Sequence, residues 1–153
     1  MRGFVLGLFV FASSFIVAGE NAGIVLTARG TVTAEISDEQ RPLKQGDPIF
    51  VNDRIVTADK SFVVLQFVDD ARVSLLSNSA MVIEKYLYHE TGQDVATLSL
   101  EAGGLRVIAG AMVNSSPGGY KVRTPVALMV VRGSEFAMML CGDQICTEDE
   151  TQN

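Results

Sequence analysis

Beyond Glu20, short apolar runs alternate with clusters of Gly, Asp, Asn and Ser at near-regular spacing, which is the pattern of an all-β domain. Strands are expected over Gly23 to Ala28, Thr31 to Ile36, Arg54 to Thr57, Phe62 to Val68, Arg72 to Leu76, Ala80 to Tyr88, Ala96 to Glu101, Leu105 to Ala109, Tyr120 to Arg123, Ala127 to Val131 and Glu135 to Cys141. Val63, Leu65 and Phe67 share one face, and Val73 and Leu75 interleave with Arg72 and Ser74, so these strands should each have one wet side. Leu128 to Val131 is apolar without a break, as in a strand covered on both sides, and is expected to lie deepest. No stretch carries the period of a long helix. The expectation is a hairpin-rich β-sandwich or β-roll of about 10–12 short strands.

The turns are chemically explicit: Gly46-Asp47-Pro48, Asn52-Asp53, Asp69-Asp70, Ser77-Asn78, Thr91-Gly92, Gly103-Gly104 and Pro117-Gly118-Gly119. Glycine supplies positive φ, proline presets φ, and Asn or Asp closes its own turn. Thr124-Pro125 reads as a strand entry, because the residue before proline is pushed to extended geometry. Gly133 reads as a bulge or a close backbone approach, and Ser115 to Gly119 as the most mobile connection.

Arg2 followed by an apolar run from Phe4 to Ala18, ending in Val17-Ala18-Gly19, has the form of a cleaved secretory signal over residues 1–19. The run is short for a bilayer span, which leaves an uncleaved anchor as the alternative. Residues 20–146 then form one β domain, and 147–153 a polar, acidic, disordered tail. Loss of the leader removes one basic residue and takes the net charge from -6 to -7. A surface of that sign argues against nucleic acid as a partner.

Candidate chemistry is sparse. In an exported chain the two cysteines, Cys141 and Cys146, favour a disulfide across a hairpin tipped by Gly142-Asp143, worth about 2 kcal/mol for so short a loop. A redox or metal role is the sharper alternative, but further ligands and a Cys-x-x-Cys spacing are missing. The sole histidine, His89, sits at a strand end next to Glu90 and reads as a solvated turn residue. Asp69-Asp70 reads as a turn rather than a catalytic pair, since neighbours on a strand point to opposite faces. Glu148 to Glu150 lacks enforced geometry for calcium, and Asn114-Ser115-Ser116 is read as a chance sequon. Arg132, between Val131 and Gly133, is expected to be half-buried and paired with Glu135 as a strand clamp, with a ligand contact as the lesser alternative. No catalytic, cofactor-binding or metal-binding residue is assigned, and the protein is expected not to be an enzyme.

Read in order, three steps resemble the FecR domain family of bacterial exported proteins. They are Gly46-Asp47 with Asp53-Arg54-Ile55-Val56-Thr57, then the hairpin from Ser61 to Leu75 with Asp69-Asp70-Ala71 at its tip, then Val122-Arg123-Thr124-Pro125-Val126-Ala127 with Val131-Arg132-Gly133-Ser134-Glu135-Phe136. The second step departs from the family's Asp-Gly-Ser, and Gly133-Ser134 replaces its Gly-Thr; Asp tolerates positive φ and Ser keeps the hydroxyl, so the turn chemistry survives. The resemblance implies a structural role for Gly46, Asp47, Thr57, Asp69, Thr124, Pro125, Arg132, Gly133 and Phe136. It also implies an extracytoplasmic binding or sensing module, periplasmic or secreted. The family's regulators act through a cytoplasmic segment and membrane helix placed before the domain, where this chain has a signal-like leader, so a direct contact with a sigma factor is not expected. The expected partner is another envelope protein met through sheet edges or apolar loops. The alternative is a cell-wall glycan held on Tyr86, Tyr88 and Tyr120, were these exposed together.

Overall fold

A computed structural model describes residues 19–90, 92–142 and 144–145. Residues 1–18, Cys146 and residues 147–153, on which the expected leader, bridge and tail fall, lie outside the described residues. The chain is all-β, with strands β1 (Asn21–Arg29), β2 (Val32–Ile36), β3 (Glu39–Pro42), β4 (Pro48–Phe50), β5 (Arg54–Thr57), β6 (Phe62–Phe67), β7 (Arg72–Leu75), β8 (Ala80–Leu87), β9 (Val95–Ala102) and β10 (Gly104–Ile108). A short helix, α1 (Met112–Ser115), precedes β11 (Tyr120–Arg123), β12 (Leu128–Val130), β13 (Glu135–Cys141) and β14 (Gln144–Ile145). No helix among the described residues is long and apolar enough to cross a membrane.

The strands form two sheets of seven, in the orders β14-β13-β10-β7-β6-β1-β4 and β12-β11-β9-β8-β5-β2-β3. Every neighbouring pair is antiparallel except β9 with β11. That parallel pair needs a crossover, and β10 with α1 supplies it. The chain passes repeatedly from one sheet to the other, so both sheets grow in the same direction and the last strands, β12 to β14, end up together at one side.

Alternation along each strand builds the core. Val63, Leu65 and Phe67 of β6 face Ile83 and Tyr86 of β8 across the interior, and Phe67 stacks on Tyr86 with ring centroids 4.3 Å apart. Twenty-seven buried apolar residues from both sheets form this single cluster. Burying one such side chain contributes about 1.5–3 kcal/mol, so the shared interior is what joins the sheets.

Several expectations are corrected. β3, β4 and β14 were not anticipated: β3 is Glu-Gln-Arg-Pro with no side chain to bury, β4 begins on the Pro48 of an expected turn and is three residues long, and β14 is two residues long, so none shows an apolar period. The run from Leu128 to Val131 is not the deepest strand; β12 is an edge strand, with Leu128 57% and Val130 43% exposed. Thr124-Pro125 is not a strand entry but the turn between β11 and β12, where the Thr124 N–H donates to the Ala127 carbonyl at 2.8 Å. Gly133 makes no close approach, since a Cβ there would meet its nearest neighbour at 3.9 Å. Ser115 to Gly119 is anchored rather than loose: Ser115 ends α1, and buried Ser116 accepts from the Asp94 N–H at 3.0 Å.

Candidate functional site

The motif residues mostly hold turns. Gly46 (φ +89) donates to the Val25 carbonyl at 2.8 Å, and Asp47 Oδ2 accepts from the Lys44 N–H at 2.7 Å. Buried Thr57 donates through its hydroxyl to the Leu76 carbonyl at 2.5 Å and accepts from the Ser79 N–H at 3.0 Å, which ties β5 to the turn between β7 and β8. Thr124 Oγ1 accepts from the Ala127 N–H at 2.9 Å. Phe136 is half-buried against the core. Pro125 is exposed in its turn.

Asp69 is a hub. It is 1% exposed, its Oδ1 accepts from the Tyr86 hydroxyl at 2.6 Å and from the Ala71 N–H at 3.2 Å, and its Oδ2 accepts from the Met112 N–H at 3.3 Å. Burial first, then neighbouring Tyr120 and Asp69, push the Tyr86 hydroxyl far above its ordinary range, so it stays protonated and donates. Asp70 carries the positive φ of the turn, +65°, at the place where the resemblance has glycine. Asp53 is also buried; it accepts from the Phe50 N–H at 2.8 Å and pairs with Arg41.

Arg132 is exposed and does not clamp Glu135, which instead meets Arg106 at 2.5 Å. The reason is directional: Arg106 lies on β10 across from Ala137 of β13, two residues along the same side from Glu135, while Arg132 stands outside the sheets in the link from β12. His89 is exposed, and its backbone N–H, not its ring, meets the Asp94 carboxylate, at 2.7 Å. Among the described residues no group of three or more His, Cys, Asp or Glu side chains is placed to hold a metal ion. Tyr86 is 1% and Tyr120 0% exposed and only Tyr88 is half-buried, so the three tyrosines offer no shared exposed platform for a sugar. Cys141 ends β13 and is paired in register with Gln144, which gives the expected hairpin; its expected partner, Cys146, lies outside the described residues.

A concave apolar surface lies where the two sheets end. A cavity of about 460 Å³ is lined by Leu76, Leu105, Arg106, Met129, Met138 and Met139, among others. A second, of about 350 Å³, shares Met129 and Ala137 with it and runs along Val130, Arg132 and Phe136. Together they make one groove between β12 of one sheet and β13 of the other. Beside it Leu128 and Val130, with Met139 at 42% and Leu76 at 43%, expose apolar surface. The three methionines give the groove side chains that adapt to different shapes.

The family model described as FecR protein matches residues 53–149. The chain belongs to that family. No curated protein and no solved structure matches it. The FecR match takes in Thr57, Asp69, Thr124, Pro125, Arg132, Gly133 and Phe136, while Gly46-Asp47 lies just before it. Within this FecR domain, the turn-holding residues Thr57, Asp69 and Thr124 are spread over the fold and do not converge on one pocket. The groove residues Leu76, Met129, Met138 and Met139 escaped the sequence reading. Their signal was present as an apolar run beside a local excess of cations, since residues 103–142 hold Arg106, Lys121, Arg123 and Arg132 against Glu135 alone.

Proposed function

We propose that this FecR-family domain is a non-enzymatic sensing module of the bacterial envelope that works by binding another protein along the β12 edge and the groove beside it. The observation that carries the reading is how differently the sheet edges are treated. β3 ends its sheet with Glu39, Gln40, Arg41 and Pro42, and β4 ends the other with Pro48, the charged and proline residues that blunt an edge against pairing. β12 ends its sheet with Leu128-Met129-Val130 and nothing to blunt it. An apolar edge next to an apolar groove is the arrangement that a partner covers. Export with removal of residues 1–19 and a Cys141–Cys146 bridge belong to the same reading.

The test is site-directed photocrosslinking in cells, with a photoreactive residue at Val130 or Met139 and, as controls, at Arg72 or Gln40, which are exposed on other parts of the fold. A discrete adduct with another envelope protein from the first two positions alone is expected. Equal labelling from all four positions, or no adduct from Val130 and Met139, would remove the groove as the binding surface.

A further inference from the structure

We infer that the occupant of the β12 edge is an extended segment of another protein in which apolar residues alternate with acidic ones. This rests on the protein-binding reading above and names the chemistry of the partner.

The backbone defines the first half of the argument. Thr124 N–H donates to the Ala127 carbonyl and Val131 N–H to the Tyr120 carbonyl, so on β12 the odd-numbered residues turn their peptide groups toward β11. By the alternation of an antiparallel ladder, the N–H and C=O of Leu128 and Val130 point away from β11, where no strand among the described residues pairs with them. A strand added there finds an unpaired row of donors and acceptors.

Side-chain direction defines the second half. Met129 is opposite Val122, which is fully buried, so this pair lies on the inward face with the groove. Val130 is opposite Lys121 and Leu128 opposite Arg123, so the outward face of this edge carries two cations one strand in from β12, Lys121 without an ion-pair partner among the described residues and Arg123 held loosely by Glu84 at 3.8 Å. An incoming strand has the same alternation. Its inward residues would fill the groove lined by Met129, Met138 and Leu105, and so should be apolar. Its outward residues would lie about 10 Å from the β11 backbone, two strand spacings, within reach of long Lys and Arg side chains, and so should be acidic. Arg132, at the end of the groove, forms no ion pair among the described residues, and neither does Lys121.

Charge on the whole chain points the same way. Residues 103–142 carry four basic side chains and one acidic, a net +3, in a chain of net -6. An acidic segment is repelled elsewhere and drawn to this end. A second copy joined edge to edge would instead set Lys121, Arg123 and Arg132 against their own counterparts.

The experiment is selection of random twelve-residue peptides displayed on phage against the protein comprising residues 20–153, followed by fluorescence anisotropy with the selected peptides as synthetic probes. Enriched sequences should alternate apolar with Asp or Glu. Val130→Pro removes an outward N–H at an edge position that tolerates proline, and should weaken binding more than tenfold with the thermal melt unchanged. Arg132→Glu, at an exposed site with no ion pair among the described residues, should weaken binding by about two- to fivefold and reduce the acidic preference. Basic or unpatterned peptides, no enrichment, or full binding by Val130→Pro would overturn the inference. So would a photoadduct at Val130 with residues 147–153 of the same chain or with a second copy. If Val130 crosslinks to a partner through a helical or basic segment, this inference fails while the protein-binding reading stands; if no partner is crosslinked at all, the reading itself fails.

Discussion

Tyr86→Phe and Tyr120→Phe remove the same oxygen from two rings in edge-to-face contact, with centroids 6.1 Å apart, and the structure assigns them opposite signs. The Tyr86 hydroxyl donates to Asp69 Oδ1 at 2.6 Å, and that carboxylate has no ion-pair partner among the described residues. Its remaining donors, the Ala71 and Met112 N–H groups, are at 3.2 and 3.3 Å, both longer than the tyrosine bond. A hydrogen bond to a charged group contributes about 1.5–3 kcal/mol, and a stranded buried acceptor adds its own desolvation, so Tyr86→Phe should destabilise by about 2–3 kcal/mol. The stack on Phe67 at 4.3 Å survives the change, which isolates the hydroxyl. The Tyr120 hydroxyl, by contrast, is buried with no hydrogen-bond partner among the described residues. Removing a buried hydroxyl that lacks a protein partner loses no protein hydrogen bond and relieves its desolvation, so Tyr120→Phe should be neutral or stabilising by about 1 kcal/mol. For a domain of this size each kcal/mol moves Tm by about 3–5 °C. Thermal and urea melts followed by circular dichroism should therefore place Tyr86→Phe about 10 °C below the parent and Tyr120→Phe level with it or a few degrees above. Equal losses from the two variants, or a Tyr86→Phe change within about 0.5 kcal/mol, the range of an ordinary surface substitution, would refute the hub role of Asp69.

Gly110→Ala should cost about 3 kcal/mol or more, because a Cβ there would lie 2.2 Å from the Asp69 carbonyl oxygen and 2.4 Å from the Ala71 nitrogen, both backbone atoms that cannot swing aside; a melt within 2 °C of the parent, under about 1 kcal/mol, would contradict this. Asp53 has its carboxyl raised above the ordinary 3.8 by burial, offset in part by the Phe50 N–H and by Arg41. The folded state then holds the proton more tightly than the unfolded chain, so this group's contribution is full at low pH and is lost as pH rises from 3.8 through the raised value. Urea melts across that window should show the loss in the parent and not in Asp53→Asn; parallel curves for the two would rule it out. Cys141→Ser should lower stability by about 2 kcal/mol under oxidising conditions and by nothing after reduction. Thiol titration of the unfolded, unreduced protein that finds two free cysteines would dispose of the bridge.

Much of the fold was legible because alternation and turn chemistry are local. Val63-Leu65-Phe67 and Val73-Leu75 point inward as their spacing requires, and Asp70 takes the left-handed turn position that a short polar side chain tolerates. β3 and β4 were illegible for the converse reason. Glu39 to Pro42 has no apolar member to bury, and it becomes a strand only because β2 offers it an open ladder from Thr33 to Ile36. Strict alternation from Met81 and Ile83 puts Tyr86 on the outer face, yet β8 carries a register shift between Ile83 and Lys85, so the parity changes and Tyr86 turns inward.

The groove was hidden by a different failure, one of inference rather than of signal. An unbroken apolar run such as Leu128 to Val131 states that the segment is selected to be dry; it does not state what keeps it dry. Burial between two sheets is the commoner answer, and for β12 it is wrong, because the chain adds strands to both sheets in one direction and runs out with β12 at an edge. The local charge carried the missing information. A core strand has no use for cations on its neighbours, whereas Lys121 and Arg132 flank this one with no ion-pair partner among the described residues, Arg123 meets only Glu84 at 3.8 Å, and Glu135 is already taken by Arg106. Hydrophobicity together with unspent charge of one sign distinguishes a surface that waits for a partner from an interior that is complete, and both were present in the sequence between residues 103 and 142.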